Sequence, residues 1–132
     1  MGGEVEFARI AVINADHLLK TSGKEALTEL LNPTGPYFFH GTSVFLMSES
    51  GGSIIDPISK KRCEHDLMKF KDAAGHYPFK LLLGILKNKE EAQVVLSVHS
   101  ASSMKDQNRI IYARHGKMGG IPVILGKVIN VP

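Results

Sequence analysis

Apolar residues in this chain come in short dense runs divided by glycine, proline and charge, and their spacing predicts strands alternating with helices. From Glu4 to Ile13, Val5 and Phe7 share one face and Ile10 and Val12 the next. The phase slip near Ala8 predicts a bulged strand or one buried on both sides. Ser22-Gly-Lys-Glu25 has the capping-box spacing, and Ala26, Leu27, Leu30 and Leu31 form an apolar stripe. A helix is expected there, closed by Asn32-Pro33 because proline donates no backbone hydrogen and restricts the residue before it. After the turn Pro33 to Pro36, Tyr37 to His40 reads as a strand. Val44-Phe45-Leu46-Met47 is four apolar residues in a row, either core or an interaction surface.

Further on, Gly52 to Ile58 predicts a short strand interrupted by Asp56-Pro57. Cys63, Leu67, Phe70 and Ala74 recur at helical spacing, so Arg62 to Ala74 is expected to be a helix ended by Gly75. "HYPFKLLLGIL" reads as a buried strand and "QVVLSVH" as another, with Lys87-Asn88-Lys89-Glu90-Glu91 as the charged hairpin turn between them. Ser102 and Ser103 can cap a helix running to about Arg114, with Asp106 in its first turn. Gly116, Gly119 and Gly120 predict a loop before the closing strand "IPVILGKVINV". "YPFKLLLGIL" and "IPVILGKVI" can be laid side by side as strands that follow a helix and open on proline. The expected class is α+β: a mixed, mostly antiparallel sheet with about three helices packed on it. Residues 1–132 read as a single domain, either whole or a fragment of a larger protein.

Composition narrows the function classes. With 43% hydrophobic and 22% charged residues and no Trp, the core must rest on Leu, Ile and Val. The one cysteine, Cys63, excludes an internal disulfide framework and a metal site built from several cysteines. No run reaches the roughly 18 apolar residues of a membrane span, and acids stand near the N-terminus where an export signal carries bases. A cytoplasmic protein with no membrane partner is expected. The net charge of +3 is mild, and its cluster Lys60-Lys61-Arg62, with Lys69 and Lys71, is not interleaved with aromatics, so nucleic acid ranks last among partners. The pattern gives no oligomeric state.

Candidate chemistry centres on histidine, of which there are six. None stands in a His-Glu-x-x-His pattern, and Cys63-Glu64-His65-Asp66 is contiguous where a helical metal face needs steps of three or four, so no metal is expected. Ser43 lacks the second glycine of a nucleophile elbow. Ser48-Glu49-Ser50-Gly51-Gly52 lacks a phosphate-binding lysine. His40 remains, followed by Gly41, Thr42 and Ser43. A strand end of this kind could present an imidazole and two hydroxyls to a sugar, or the imidazole could be satisfied by a neighbouring carbonyl.

The stretch "FFHGTS" resembles the opening motif of ADP-ribosyltransferase-fold proteins of the His-Tyr-Glu type. The resemblance implies that His40 contacts a ribose hydroxyl of NAD and that the Gly41 backbone pairs with the nicotinamide amide, with Thr42 and Ser43 as neighbours. Tyr77 lies at a suitable distance along the chain for the second motif. A nicotinamide dinucleotide is then the expected cofactor, and transfer of ADP-ribose to a protein substrate the expected activity. No catalytic residue is assigned, since no glutamate follows Glu91, and Glu90 and Glu91 fall in the charged turn. The alternative is a non-catalytic module that binds a protein partner.

Overall fold

The computed structural model describes residues 2–32, 37, 44–57, 64–100 and 105–130. Its centre is a five-stranded sheet in the order β2-β1-β5-β4-β3, with β1 at Val44–Ser48, β2 at Ser53–Ile55, β3 at Glu91–Ser100, β4 at Lys105–Met118 and β5 at Ile121–Asn130. Every neighbouring pair is antiparallel. Helix α1 (Gly2–Ser22) lies on one face, and α3 (Pro78–Leu86) lies on the other. The α+β expectation holds, with a wholly antiparallel sheet among the described strands. Two helices cover it where about three were expected, because α2 (Ala26–Leu30) is a five-residue tail joined to α1 through the 3-10 turn Gly23–Glu25.

Alternation along the strands builds two cores. Leu46, Tyr112, Val123 and Leu125 point to α1 and meet Ala8, Val12, Ala15 and Leu19 of that helix. Phe45, Met47, Ile111, Ala113 and Ile124 point the other way and meet Phe79, Leu82, Leu83 and Leu86 of α3. Both faces being covered explains why β1 is apolar at successive positions and buried from Val44 to Met47. That run is core, not an interaction surface.

Several elements differ in type from their sequence reading. Glu4 to Ile13 belongs to helix α1, and the slip near Ala8 is the helical period itself: Ala8, Val12, Ala15 and Leu19 are buried at steps of four, three and four. The segment expected as the buried strand "HYPFKLLLGIL" is helix α3, with Pro78 at its first position, where the missing backbone donor costs nothing. The charged turn after it therefore leads from helix to strand. The helix expected to Arg114 is strand β4, in which Ile110 and Tyr112 face one core and Ile111 and Ala113 the other. Of the helix expected from Arg62 to Ala74, the described part keeps one 3-10 turn, Leu67–Lys69, capped by Asp66, whose Oδ1 accepts from Met68 N at 3.1 Å. Cys63 and the strand expected over Phe38 to His40 lie outside the described residues. The two look-alike proline-led segments are thus one helix and one strand.

Three glycines are required by geometry. Gly119 and Gly120, at φ +59° and +96°, make the two-residue turn that returns β4 into β5. Gly126, at the centre of β5, faces Phe45: a methyl there would run into the Phe45 ring and the Tyr112 carbonyl oxygen. The carbonyl is fixed by the β4–β5 ladder and cannot retreat. Gly126→Ala is therefore expected to cost about 1–3 kcal/mol, read as a lower urea midpoint at unchanged slope.

Candidate functional site

Helix α3 is nine residues long and two-sided. Pro78, Phe79, Leu82, Leu83 and Leu86 are buried against the sheet and the Leu67–Lys69 turn. At 100° per residue, Tyr77, Lys80, Leu81, Gly84 and Ile85 fall on the opposite side. These five residues line a shallow, open hollow of ≈ 430 Å³ on the outer side of the helix. Tyr77 is 45% exposed and Leu81 59%, so ring and isobutyl group both stand open to solvent. One ammonium, one phenol and an apolar wall around a bare backbone position can hold an anion with an apolar body.

The loops beside α3 hold it in place. Asp72 is buried, and its carboxylate accepts from the amides of Ala74 (3.0 Å), His76 (2.8 Å) and Ser97 (3.1 Å). Burial pushes this carboxyl upward, but the three amide donors outweigh it and hold the group below its ordinary value. Ala73 N donates in turn to Ser97 O at 3.0 Å, so the loop that leads into α3 covers the outer edge of β3. At the other end of α3, His115 Nε2 lies at 2.5 Å from Leu86 O.

A second polar group stands near β2. Asp56 is fully buried and its carboxylate meets His65 Nδ1. The Ser53 hydroxyl accepts from the His65 main-chain amide at 2.8 Å, while Ser53 N donates to His65 O at 2.8 Å. A Ser, a His and an Asp thus come together, but the serine engages the histidine's backbone. It ties a strand; it is not the geometry of a nucleophile and its base. On the α1 face, Tyr112 Oη donates to Glu91 Oε2 at 2.7 Å, with Arg9 Nε at 3.5 Å from the same oxygen. Burial and that bond push the Tyr112 phenol up to about 12. The Tyr112–Glu91 bond joins β4 to β3, and Arg9 links α1 to the same carboxylate. Among the described residues no group of three or more His, Cys, Asp and Glu could hold a metal ion.

Of the residues singled out from the sequence, His40, Gly41, Thr42 and Ser43 lie outside the described residues. Tyr77 is placed in the α3 hollow, at the position that precedes the helix. Lys80, Leu81, Gly84 and Ile85 escaped the sequence reading because a strand assignment sends neighbours to opposite faces. Proline at the first helical position was the signal that could have found them.

No family model matches the chain, and no curated protein does. Solved structures do. The periplasmic sensor domain of a chemotaxis protein aligns with a TM-score of 0.75 at 14% identity, covering 99% of this chain and 96% of the other. A Cache chemosensory domain, solved for its recognition of carboxylic acids, gives a TM-score of 0.70 at 17% identity over 99% and 92% of the two chains. A methyl-accepting chemotaxis protein from Vibrio parahaemolyticus gives 0.61 at 17% identity over 89% and 80%. The fold is that of these sensor domains.

This overturns the resemblance drawn from "FFHGTS". The neighbours are Cache and chemotaxis sensor domains, not ADP-ribosyltransferase-fold proteins, so the transferase reading is withdrawn. Six residues carried that likeness, whereas the present one runs along nearly the whole chain. The expectation of NAD rested on that motif alone. A module without catalysis agrees better with such neighbours. The cytoplasmic expectation also gives way, since the first of these neighbours is a periplasmic domain and the others are chemosensory. Among the described residues no helix is long and apolar enough to cross a membrane.

Proposed function

We propose that this chain is an extracytoplasmic sensor domain that recognises a small molecule bearing a carboxylate, in the hollow on α3. The observation that carries the reading is the fold shared over 99% of the chain with a Cache domain that recognises carboxylic acids. The chemistry of the hollow supports it. Lys80 offers a compact, mobile cation to a carboxylate, the Tyr77 hydroxyl can donate a second bond, and Leu81 and Ile85 take apolar surface from water.

The test is thermal unfolding of the 132-residue chain against a panel of aliphatic and aromatic monocarboxylates, with sodium chloride at equal ionic strength as the control. A ligand at 100 times its Kd stabilises the folded state by about 2.7 kcal/mol, so at least one acid should raise Tm by several degrees. Lys80→Gln removes the ammonium from an exposed helix position and should weaken binding at least tenfold without lowering the unliganded Tm. If no acid in the panel shifts Tm at millimolar concentration, the reading falls.

A further inference from the structure

Strand β3 ends the sheet, and most of its outer edge is undefended. Ser97 shows which way that edge points. Its N–H donates to Asp72 Oδ2 and its C=O accepts from Ala73 N, so neither serves the ladder to β4. The pairing with β4 runs from Glu91 to Ser100 without a register shift, so residues two apart along β3 share one orientation. Glu91, Gln93 and Val95 therefore also turn main-chain N–H and C=O outward. No group among the described residues takes up those of Gln93 and Val95. The usual protections of an edge are missing too. From Ala92 to Val98 the strand carries no charge, no proline and no glycine. Val95 is 59% exposed, on the face where α1 lies over β4 and β5. The Asp72 loop closes the edge at Ser97 and leaves Glu91 to Val95 open.

We infer that a second copy of this chain adds its own β3 to this edge, antiparallel and two-fold symmetric about Gln93, so that the two sheets become one. A row of unpaired amides and carbonyls specifies its occupant, because only an extended backbone satisfies it bond for bond. The occupant is a second copy because the open stretch is complementary to itself. In this register Gln93 faces Gln93 and Glu91 faces Val95, all of them outward residues, and each pair exchanges two main-chain hydrogen bonds. Ala92 falls opposite Val94 on the α3 face, apolar against apolar. Glu91 is the only charge in the stretch and meets a valine, while its carboxylate stays with Tyr112 and Arg9. The assembly also closes at two. The other edge strand, β2, has three residues, and Ser53 N there already donates to His65 O. This pairing is independent of ligand recognition at α3.

Sedimentation equilibrium of the 132-residue chain from micromolar to millimolar concentration tests it. The parent mass should rise from 14.4 kDa toward twice that value as concentration increases. Gln93→Pro keeps the ladder to β4, since the Gln93 N–H points away from it, but removes the central donor of the edge. That variant should stay at 14.4 kDa throughout. Gln93→Lys, at an exposed side chain, sets like charges opposite each other across the axis. It should weaken the dimer about fivefold and leave the Tm of dilute protein unchanged. With Cys63 replaced by serine, Gln93→Cys should yield a disulfide-linked dimer on mild oxidation, because its Cα atoms would face each other at about 5.5 Å. Val95→Cys should not, since its counterpart stands about 13 Å away along the partner strand. A chain that remains monomeric to millimolar concentration overturns the inference. So does a dimer of equal strength in Gln93→Pro, or Val95→Cys linking as readily as Gln93→Cys. Should Gln93→Pro fail to fold, Gln93→Lys and the two cysteine variants still decide.

Discussion

Phe79→Ala is expected to lower stability by about 3–5 kcal/mol and Tm by roughly 10–20 °C, measured by urea and thermal unfolding. Phe79 is fully buried at the second position of α3 and stands edge-on to two other rings. Phe45 lies at 5.9 Å and 89° to it, and Phe70 at 5.7 Å and 72°. Phe45 in turn packs over Gly126 at the middle of the sheet, so one line of contact runs from the central strand through Phe79 to the loop before α3. Truncating Phe79 opens a cavity at the centre of that line, and the neighbours cannot close it without leaving the sheet. A domain of this size has about 5–15 kcal/mol of stability in all, so the variant should be partly unfolded at 37 °C. The same ring holds the inner side of α3, so any ligand of the outer hollow should bind the variant more weakly in proportion to the folded fraction. A cost below 1 kcal/mol would show that α3 is not seated by this residue.

How far the sequence revealed this architecture can be followed element by element. β3 and β5 were legible because "QVVLSVH" and "IPVILGKVINV" are rich in β-branched residues and bounded by turn chemistry, and the Gly119-Gly120 turn announced itself. The tail Ala26–Leu30 was legible from its stripe, though Ser22 makes no side-chain cap bond and a 3-10 turn intervenes. The failures share one cause. Val5, Phe7, Ile10, Val12 and Ile13 have strand-like side chains, yet tertiary packing selects the helical set Ala8, Val12, Ala15 and Leu19. In α3 the run Leu81-Leu82-Leu83 carries no period, and burial on one face only becomes visible once Leu81 is seen exposed and Leu82 and Leu83 buried. Strand β4 hides because Arg109, Arg114 and Lys117 interrupt its alternation.

The site was less legible than the fold for the same reason. A misassigned period scatters Tyr77, Lys80, Leu81 and Gly84 onto two faces, and only Tyr77 was picked out, for a different chemistry. The motif reading, by contrast, gave weight to the tetrapeptide His40 to Ser43. Such short strings say little about fold, which is set by some thirty buried positions spread along the chain.

Asp72→Ala should lower stability at neutral pH by about 1–3 kcal/mol. The carboxylate is the common acceptor for three amides, and its loss strands the buried Ser97 N–H while freeing the loop that carries the chain into α3. The acid limb of stability supplies a sharper test. Because Asp72 is held below its ordinary value in the folded state, the unfolded chain takes up the proton first as pH falls. Its contribution is therefore whole above the unfolded pKa of about 4 and is lost as pH drops through the lowered folded value. Asp72→Asn keeps the shape and one acceptor oxygen but removes the charge, so it should be less stable than the parent at pH 7. The gap should begin to close as the pH is lowered below about 4, where the unfolded chain takes up the proton, and close fully only once the folded carboxyl is neutral too. Urea midpoints of parent and Asp72→Asn between pH 3 and 7 measure this directly, and a gap that stays constant across that range would mean that the charge on Asp72 does not hold the loop. Since that loop both covers the edge of β3 and delivers Tyr77 to the start of α3, acid should release the hollow before it unfolds the sheet. Ligand affinity is then expected to fall at a higher pH than the loss of the β-sheet signal.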